Sequence, residues 1–173
     1  MSDDRTLFEK ICLEAFQSGL SWLTILRKRE AFRKALRSFD TAAVARFGDR
    51  DVTRLMDDAT IVRNRAKIEA TIGNAARCIE LVEETGSLAA YAWSFEPDPA
   101  SRPRTLDWQT LTRLGVSREA VAMSKDLKRR GWTFVGPTTL YSFMEAMGLV
   151  NDHVTACSLR DDVEAERARF VRP

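Results

Sequence analysis

The sequence contains few of the residues that cross-link small domains or ligate metals. Its 173 residues include three cysteines, Cys12, Cys78 and Cys157, and a single histidine, His153. An odd number of scattered cysteines argues against a disulfide framework and favours a reducing compartment, so we expect a cytoplasmic protein. No apolar run is long enough to span a bilayer, and we expect no membrane partner.

Internal repeats, a glycine-rich phosphate loop and the alternation of a β-strand are also missing. Hydrophobic residues make up 45% of the chain, enough for a core, and they recur at helical spacing, which predicts an all-α fold. We expect one helical domain over residues 1–157 and a highly charged tail over 158–173, frayed or laid on the surface.

The net charge of +2, from 27 basic and 25 acidic residues, creates no overall field that would attract nucleic acid. The basic residues are nevertheless clustered, at 27–37, 63–67 and 125–130. Such clusters suit contacts with phosphate groups, but they are also typical of solvated helix faces, so charge alone leaves both interpretations open.

Residues 117–149 have the signals of two helices joined by a short hairpin. Ser117 is a good N-cap, and Gly131 follows the basic end of the first helix. The second helix can begin after Gly136 with Pro137 and end at Gly148. Amides without intrahelical partners beside a basic run suit a phosphate, whereas an ordinary helical corner with amides facing water fits the pattern equally well.

A second candidate region lies near the start, where a helix capped by Asp3 or Asp4 is predicted to end at Gly19. Glu14 falls at the border of the apolar stripe of this helix, where a carboxylate can either reach into a cavity or pair with Lys10. Leu20 follows at the tip of the turn, exposed or packed into the corner. Ser21 can cap a second helix, which we predict to run to about Phe39.

His153 and Cys157 are spaced to share one helical face, which allows both to bind zinc. Two ligands make only half of a structural tetrahedral site, and such a pair in isolation usually has no metal function.

Three stretches carry a resemblance: LFEKICLEAFQSGLSWLTILRKR, IVRNRAKIEATIGNA and SKDLKRRGWTFVGPTTLYSFMEAMGLVNDHVTAC. In this order they closely resemble the DNA-3-methyladenine glycosylase I family, bacterial repair enzymes of the helix-hairpin-helix glycosylase superfamily. The resemblance implies an all-α glycosylase fold. It also implies base-excision repair of alkylated double-stranded DNA, in which 3-methyladenine is flipped out of the duplex and its N-glycosidic bond is hydrolysed.

The resemblance also implies roles for individual residues. Glu14 would be the catalytic, base-reading carboxylate and Trp22 a wall of the base pocket, while Gly19 and Leu20 would enter the duplex beside the flipped nucleotide. The hairpin would hold the DNA backbone through Gly131, Trp132, Thr133 and Gly136.

The same resemblance assigns His153 and Cys157 to a structural zinc site. Their partners in the family, a cysteine and a histidine, belong to an N-terminal segment that has no counterpart in this sequence, so only a half-site is expected. That segment also carries aromatic residues of the family's base pocket.

The catalytic aspartate of other superfamily members falls by spacing on Asn151, with Asp152 beside it; Asp152 is expected to cap a helix or hold His153. Because no lysine is expected in that pocket, we predict a monofunctional enzyme without a lyase step. We also expect a monomer. The alternatives are a DNA-binding module that releases no base and a helical interaction protein without a nucleic-acid role.

Overall fold

The computed structural model describes residues 1–103 and 105–173. These residues form eleven α-helices and two short 3₁₀ turns, and no strand occurs among them. The prediction of an all-α fold is confirmed. The helices are α1 (Asp4–Gln17), α2 (Trp22–Arg27), α3 (Arg29–Ala35), α4 (Thr41–Val44), α5 (Asp49–Asp57), α6 (Arg65–Thr85), α7 (Leu88–Trp93), α8 (Trp108–Leu114), α9 (Arg118–Arg129), α10 (Pro137–Met147) and α11 (Arg160–Arg169).

Helix α1 lies at the centre of the fold. Asp3 caps it by accepting a hydrogen bond from the Thr6 amide at 2.8 Å. Helices α10, α6 and α7 pack around it, so it is buried on nearly every side. The two glutamates on its buried turns, Glu9 and Glu14, therefore need partners. Glu9 has them in Arg29 and Arg33, at 2.6 and 3.0 Å.

Helix α6 supports the end of α1. Asn64 caps α6 and Gly86 ends it. From its first turn the buried Lys67 reaches back to α1, where its ammonium donates to the carbonyls of Phe16 at 2.9 Å and Ser18 at 2.5 Å. The last carbonyls of a helix have no intrahelical donor, so Lys67 both satisfies them and fixes the turn that follows.

The second predicted helix is broken, and the prediction that it continues to Phe39 is wrong. Helix α2 ends at Arg27, and Lys28 leaves helical geometry with φ −97° and ψ 0°. The Lys28 ammonium donates to the carbonyl of Thr60 at 2.8 Å, which ties the break to the loop before α6. After α3 the chain makes a left-handed turn at Arg37–Phe39, with φ between 52° and 56°, that places Phe39 fully in the core. Burial of this ring offsets the strain of the turn.

The charged C-terminal tail forms helix α11 on the surface. No residue within α11 is buried, but the tail is held at its end. The Phe170 ring lies 4.6 Å from the ring of Trp93, and Arg167 and Arg172 pair with Glu96 at 2.9 and 2.7 Å. The tail is thus laid on the surface rather than frayed. Within residues 1–103 and 105–173, no helix has the length and apolar character needed to cross a membrane.

Candidate functional site

Glu14 is a buried carboxylate with one charged partner. Its residue is 5% exposed, and its Oε1 lies 2.5 Å from the ammonium of Lys10, one helical turn earlier on α1. The sequence left two possibilities for Glu14, a cavity or a pair with Lys10. The structure shows the pair with Lys10, and this pair is largely buried inside the protein.

Trp22 forms the other side of the same site. Ser21 caps α2 through the amide of Thr24 at 3.2 Å, and this cap places the half-buried indole of Trp22 at the first position of the helix. The Lys10 ammonium stands 3.6 Å from the centroid of the Trp22 ring, a cation–π contact. Glu14 and Trp22, predicted from resemblance to share a pocket, therefore face each other across Lys10.

Helix α10 adds a polar wall beside Glu14. Although the Glu145 residue is exposed, partial desolvation of its carboxyl raises its pKa, and the negative charges of Asp152 and Glu14 raise it further. Tyr141, one turn earlier, donates to Asp152 at 2.5 Å, and burial raises its pKa to about 12. Arg102 pairs with Asp152 and donates to the Tyr141 hydroxyl at 3.1 Å. The spacing of Tyr141 and Glu145 signals a shared helix face, but only the fold shows that this face adjoins Glu14.

Two expectations for this region are wrong. Asp152 neither caps a helix nor holds His153, since Tyr141 and Arg102 occupy its carboxylate. A lysine does lie at this site, because α1 places the Lys10 ammonium against Glu14, so the absence of a lysine no longer supports the prediction of a monofunctional enzyme. Asn151 is buried, and its side-chain amide donates to Glu164 at 2.9 Å, so it is part of the scaffold.

The turn between α1 and α2 presents Leu20 at the surface. Gly19 has φ 79°, a conformation that favours glycine, although no heavy atom would crowd a Cβ there. The Leu20 amide donates to the carbonyl of Gln17 at 2.6 Å, and its side chain is 42% exposed. Leu20 does not pack into the corner, which was the alternative. The predicted wedge residues thus form a tight, exposed turn two residues before α2.

The hairpin between α9 and α10 is built as predicted, but Trp132 is not at its surface. Trp132 is 2% exposed and packs against Phe8, with ring centroids 6.3 Å apart. Its amide donates to the carbonyl of Leu127 at 3.0 Å. The prediction that Trp132 contacts DNA is corrected: its side chain anchors the hairpin to α1.

The backbone of Thr133 is also held from inside. Its amide donates to Asn74 Oδ1 and its carbonyl accepts from Asn74 Nδ2, both at 2.9 Å, while the residue is exposed. Gly131 has φ 85°, and its amide donates to Lys128 at 3.0 Å. Only the Thr133 side chain, not these two amides, is available to an external group.

Unpaired amides begin at the N-terminus of α10. Gly136 caps this helix with φ −65°, so its position does not require glycine, and Pro137 follows as the first helical residue. The amides of Gly136, Thr138 and Thr139 face the end of the helix, where no intrahelical acceptor exists. Phe134, which sequence analysis did not single out, is 37% exposed at the hairpin tip with φ 56°.

The arginines beside the hairpin are less available than their sequence suggests. Arg130 pairs with Asp126 at 2.7 Å and with Glu84 at 2.5 Å, and Arg129 also pairs with Asp126. These carboxylates raise the pKa of Arg130 and neutralise its charge locally. Lys128, on the last turn of α9, is exposed at the surface.

His153 and Cys157 come together, with Sγ and Nδ1 3.3 Å apart. They supply two donors of the kind that zinc prefers. Across the described part of the chain, no group of three or more His, Cys, Asp and Glu side chains has the arrangement of a metal site. The residues present do not fit a closed structural zinc site.

Together these features define a class: an all-α protein with a buried carboxylate beside a half-buried indole, an exposed apolar turn, and a hairpin whose free amides lie at the start of a helix. The chain belongs to the methyladenine glycosylase family, whose pattern it matches over residues 1–161.

Relatives in two bacteria have names of this kind. The chain is 45% identical over 157 residues to DNA-3-methyladenine glycosylase 1 of Escherichia coli, covering 90% of this chain and 82% of that protein. It is 40% identical over 156 residues to the DNA-3-methyladenine glycosylase of Haemophilus influenzae, covering 90% and 83%.

Solved structures share the fold. A crystal structure of 3-methyladenine DNA glycosylase I matches with a TM-score of 0.82 and 42% identity over 91% of this chain and 86% of that one. The Staphylococcus aureus enzyme, in a study of 3-methyladenine recognition, matches with a TM-score of 0.81 and 36% identity, covering 92% and 84%. The all-α glycosylase fold implied by the resemblance is confirmed.

Proposed function

We propose that this protein is a DNA glycosylase that releases 3-methyladenine from alkylated double-stranded DNA. One observation carries the proposal: Glu14 and Trp22, from two different helices, hold a cation between them at 2.5 Å from the carboxylate and 3.6 Å from the ring centroid. Methylation at N3 makes the adenine of DNA a flat cation, which is the kind of ligand that this pair can bind.

Recognition of the base divides between these two residues. The Glu14 carboxylate can accept a hydrogen bond from the exocyclic amine of the base, and its charge complements that of the methylated ring. The Trp22 indole provides a face for stacking. A buried, charged hydrogen bond is strong because little water competes with it, so an adenine-like cation is favoured over an uncharged pyrimidine.

The chemical step needs little activation of the leaving group. When the bond between C1′ and N9 breaks, its electron pair goes to the base, which becomes neutral. Water adds to C1′ and loses a proton to solvent, leaving an abasic site. The negative charge of Glu14 faces the base while positive charge develops on the sugar, so the protein mainly extracts, orients and retains the nucleotide.

Extraction of the base requires contacts outside the pocket. Exposed Leu20 on its tight turn is suited to fill the space that the flipped nucleotide leaves, which offsets part of the cost of unstacking. The amides at the start of α10 are suited to a backbone phosphate, as in a helix-hairpin-helix motif. We infer that the turn at Leu20 and the start of α10 contact one duplex on either side of the lesion.

The test is release of 3-methyladenine from methylated duplex DNA under single-turnover conditions, with the free base quantified by chromatography. Wild-type protein should release the base, and Glu14→Gln should bind the same duplex but release it more slowly. A matched control is Glu30→Gln, because Glu30 is an exposed carboxylate on α3 outside the pocket.

The outcomes separate the proposal from its alternatives. Binding to abasic-site DNA without base release would indicate a DNA-binding module. Absence of salt-dependent DNA binding altogether would contradict any role on DNA.

A further inference from the structure

We propose that Lys10 is a built-in competitor for the base pocket, whose ammonium occupies the place of the cationic base and returns when the neutral product has formed. This inference rests on the proposed function. It concerns a residue that contributes neither to the chemistry nor to the stacking surface, and that controls access to both.

The position of the ammonium is that of a ligand. Its two neighbours are the base-reading carboxylate at 2.5 Å and the stacking indole at 3.6 Å from the ring centroid. The side chains of Lys10 and Glu14 are only 12% and 4% exposed, so the ion pair is largely shielded from water. A base between Glu14 and Trp22 would need the same space, and both positive groups cannot occupy it.

Lys10 can leave because its attachment is flexible. Its four-carbon stem allows the ammonium to swing toward water, where it is strongly hydrated. Glu14 and Trp22, by contrast, are fixed by a central helix and by a capped helix start. Binding of the base is therefore an exchange of one cation for another at a rigid site.

The charge of the base changes during the reaction, and this gives the exchange a direction. The methylated nucleotide is cationic, so it restores the charge that Glu14 loses when Lys10 leaves. The released base is neutral and cannot restore this charge. Return of Lys10 then pairs the buried carboxylate again, which favours release of the product and weakens binding of any uncharged adenine.

The size of the effect on base affinity follows from the fraction of molecules in which Lys10 occupies the pocket. If Lys10 leaves the pocket open for a fraction f of the time, the dissociation constant of every ligand is raised by 1/f. The loss of a shielded ion pair and a cation–π contact corresponds to an f of roughly one tenth or less. A lesion in DNA is also held by contacts with the duplex, whereas a free base has only the pocket.

The first measurement is calorimetric titration of free 3-methyladenine into wild type, Lys10→Met and Lys34→Met. Methionine keeps the length and apolar stem of lysine without its charge, and Lys34 is an exposed lysine on α3 that serves as control. We expect Lys10→Met to bind the base about tenfold more tightly than wild type, and Lys34→Met to bind it unchanged. Equal or weaker binding by a folded Lys10→Met protein would overturn the inference.

A second measurement uses wild type alone, in case the variant does not fold. Acetylation of individual lysines by a water-soluble reagent is followed by mass spectrometry with and without 3-methyladenine. Lys10 should become more reactive when the base is present, since the base expels it toward solvent. Unchanged or reduced reactivity under saturating base would refute the exchange.

Base release by wild type, measured alongside, separates the two proposals. Release with no tightening in Lys10→Met and no change in labelling would refute the role of Lys10 alone. No release and no binding of the base by any variant would refute the proposed function and this inference with it.

Discussion

Replacement of Lys67 by methionine tests how the exposed turn at Gly19 and Leu20 is held. The Lys67 ammonium donates to Phe16 at 2.9 Å and to Ser18 at 2.5 Å. Hydrogen bonds to a charged group contribute about 1.5–3 kcal/mol each, and the variant would leave carbonyls at the end of α1 unsatisfied. Burial lowers the pKa of Lys67, which shows that desolvation of the ammonium offsets part of this gain.

The net loss of stability should therefore be about 2–3 kcal/mol, less than the sum of the two hydrogen bonds. For a chain of this size such a loss lowers Tm by roughly 4–12 °C, which calorimetry or circular dichroism would detect. We also expect about tenfold weaker binding to duplex DNA that contains an abasic site. In the variant the Gly19–Leu20 turn must be ordered when DNA binds, and a cost of about 1.4 kcal/mol corresponds to this loss of affinity. Binding of free 3-methyladenine should change much less.

Lys34→Met is the matched control, since Lys34 is exposed and makes no such contact with α1. A Lys67→Met protein with the same Tm as wild type would refute the stabilising role of the two hydrogen bonds. If it melts lower but binds abasic DNA as tightly as wild type, Lys67 supports the fold without positioning the turn.

Four further predictions address the pocket, the turn, the hairpin and the polar wall. Glu14→Gln should slow single-turnover base release roughly 10- to 100-fold, from loss of a charged hydrogen bond; an unchanged rate would show that Glu14 does not read the base. Leu20→Ala should reduce affinity for abasic duplex about tenfold, with binding of the free base as the control that stays constant. Gly136→Val should lower Tm only slightly, because φ is −65° but valine is a poorer N-cap than glycine, and it should weaken binding to all duplex sequences alike; a lower Tm with normal DNA binding would contradict a phosphate contact. The Glu145 residue is exposed, but partial desolvation of its carboxyl and neighbouring carboxylates raise its pKa, so its ionised form costs a little stability at neutral pH. Glu145→Gln should therefore raise Tm at pH 7, and the gain should disappear on acidification below the ordinary pKa of 4.5; a pH-independent change in Tm would refute this.

Local signals in the sequence were sufficient for most helix ends. Ser117, Asn64 and Asp40 cap helices because a side-chain oxygen is placed beside free amides by the chain itself, and Gly148 ends α10 in the left-handed conformation that glycine permits. The break at Lys28 has no local signal. It depends on carbonyls at Ala59 and Thr60, more than thirty residues further along the chain.

The candidate site shows the same division. Spacing along α1 places Lys10 and Glu14 one turn apart, and resemblance assigns Glu14 and Trp22 to one pocket, so these residues could be selected in advance. The burial of Trp132 against Phe8 could not, because it depends on the packing of the hairpin onto α1. Nor could the pairing of Arg130 with Glu84, which removes a positive charge that the sequence alone would offer to a phosphate.

The sequence by itself determined the all-α character, most caps and ends of the helices, the turn at Gly19 and the hairpin at Gly131 to Gly136. Each of these features follows from residues that lie within a few positions of each other in the chain. Tertiary structure alone decided that Lys10 lies between Glu14 and Trp22, that Lys67 holds the end of α1, and that Asp152 is occupied by Tyr141 and Arg102. The physical reason is that a buried charge must find its partner wherever packing brings one, and packing joins residues that are distant in the chain.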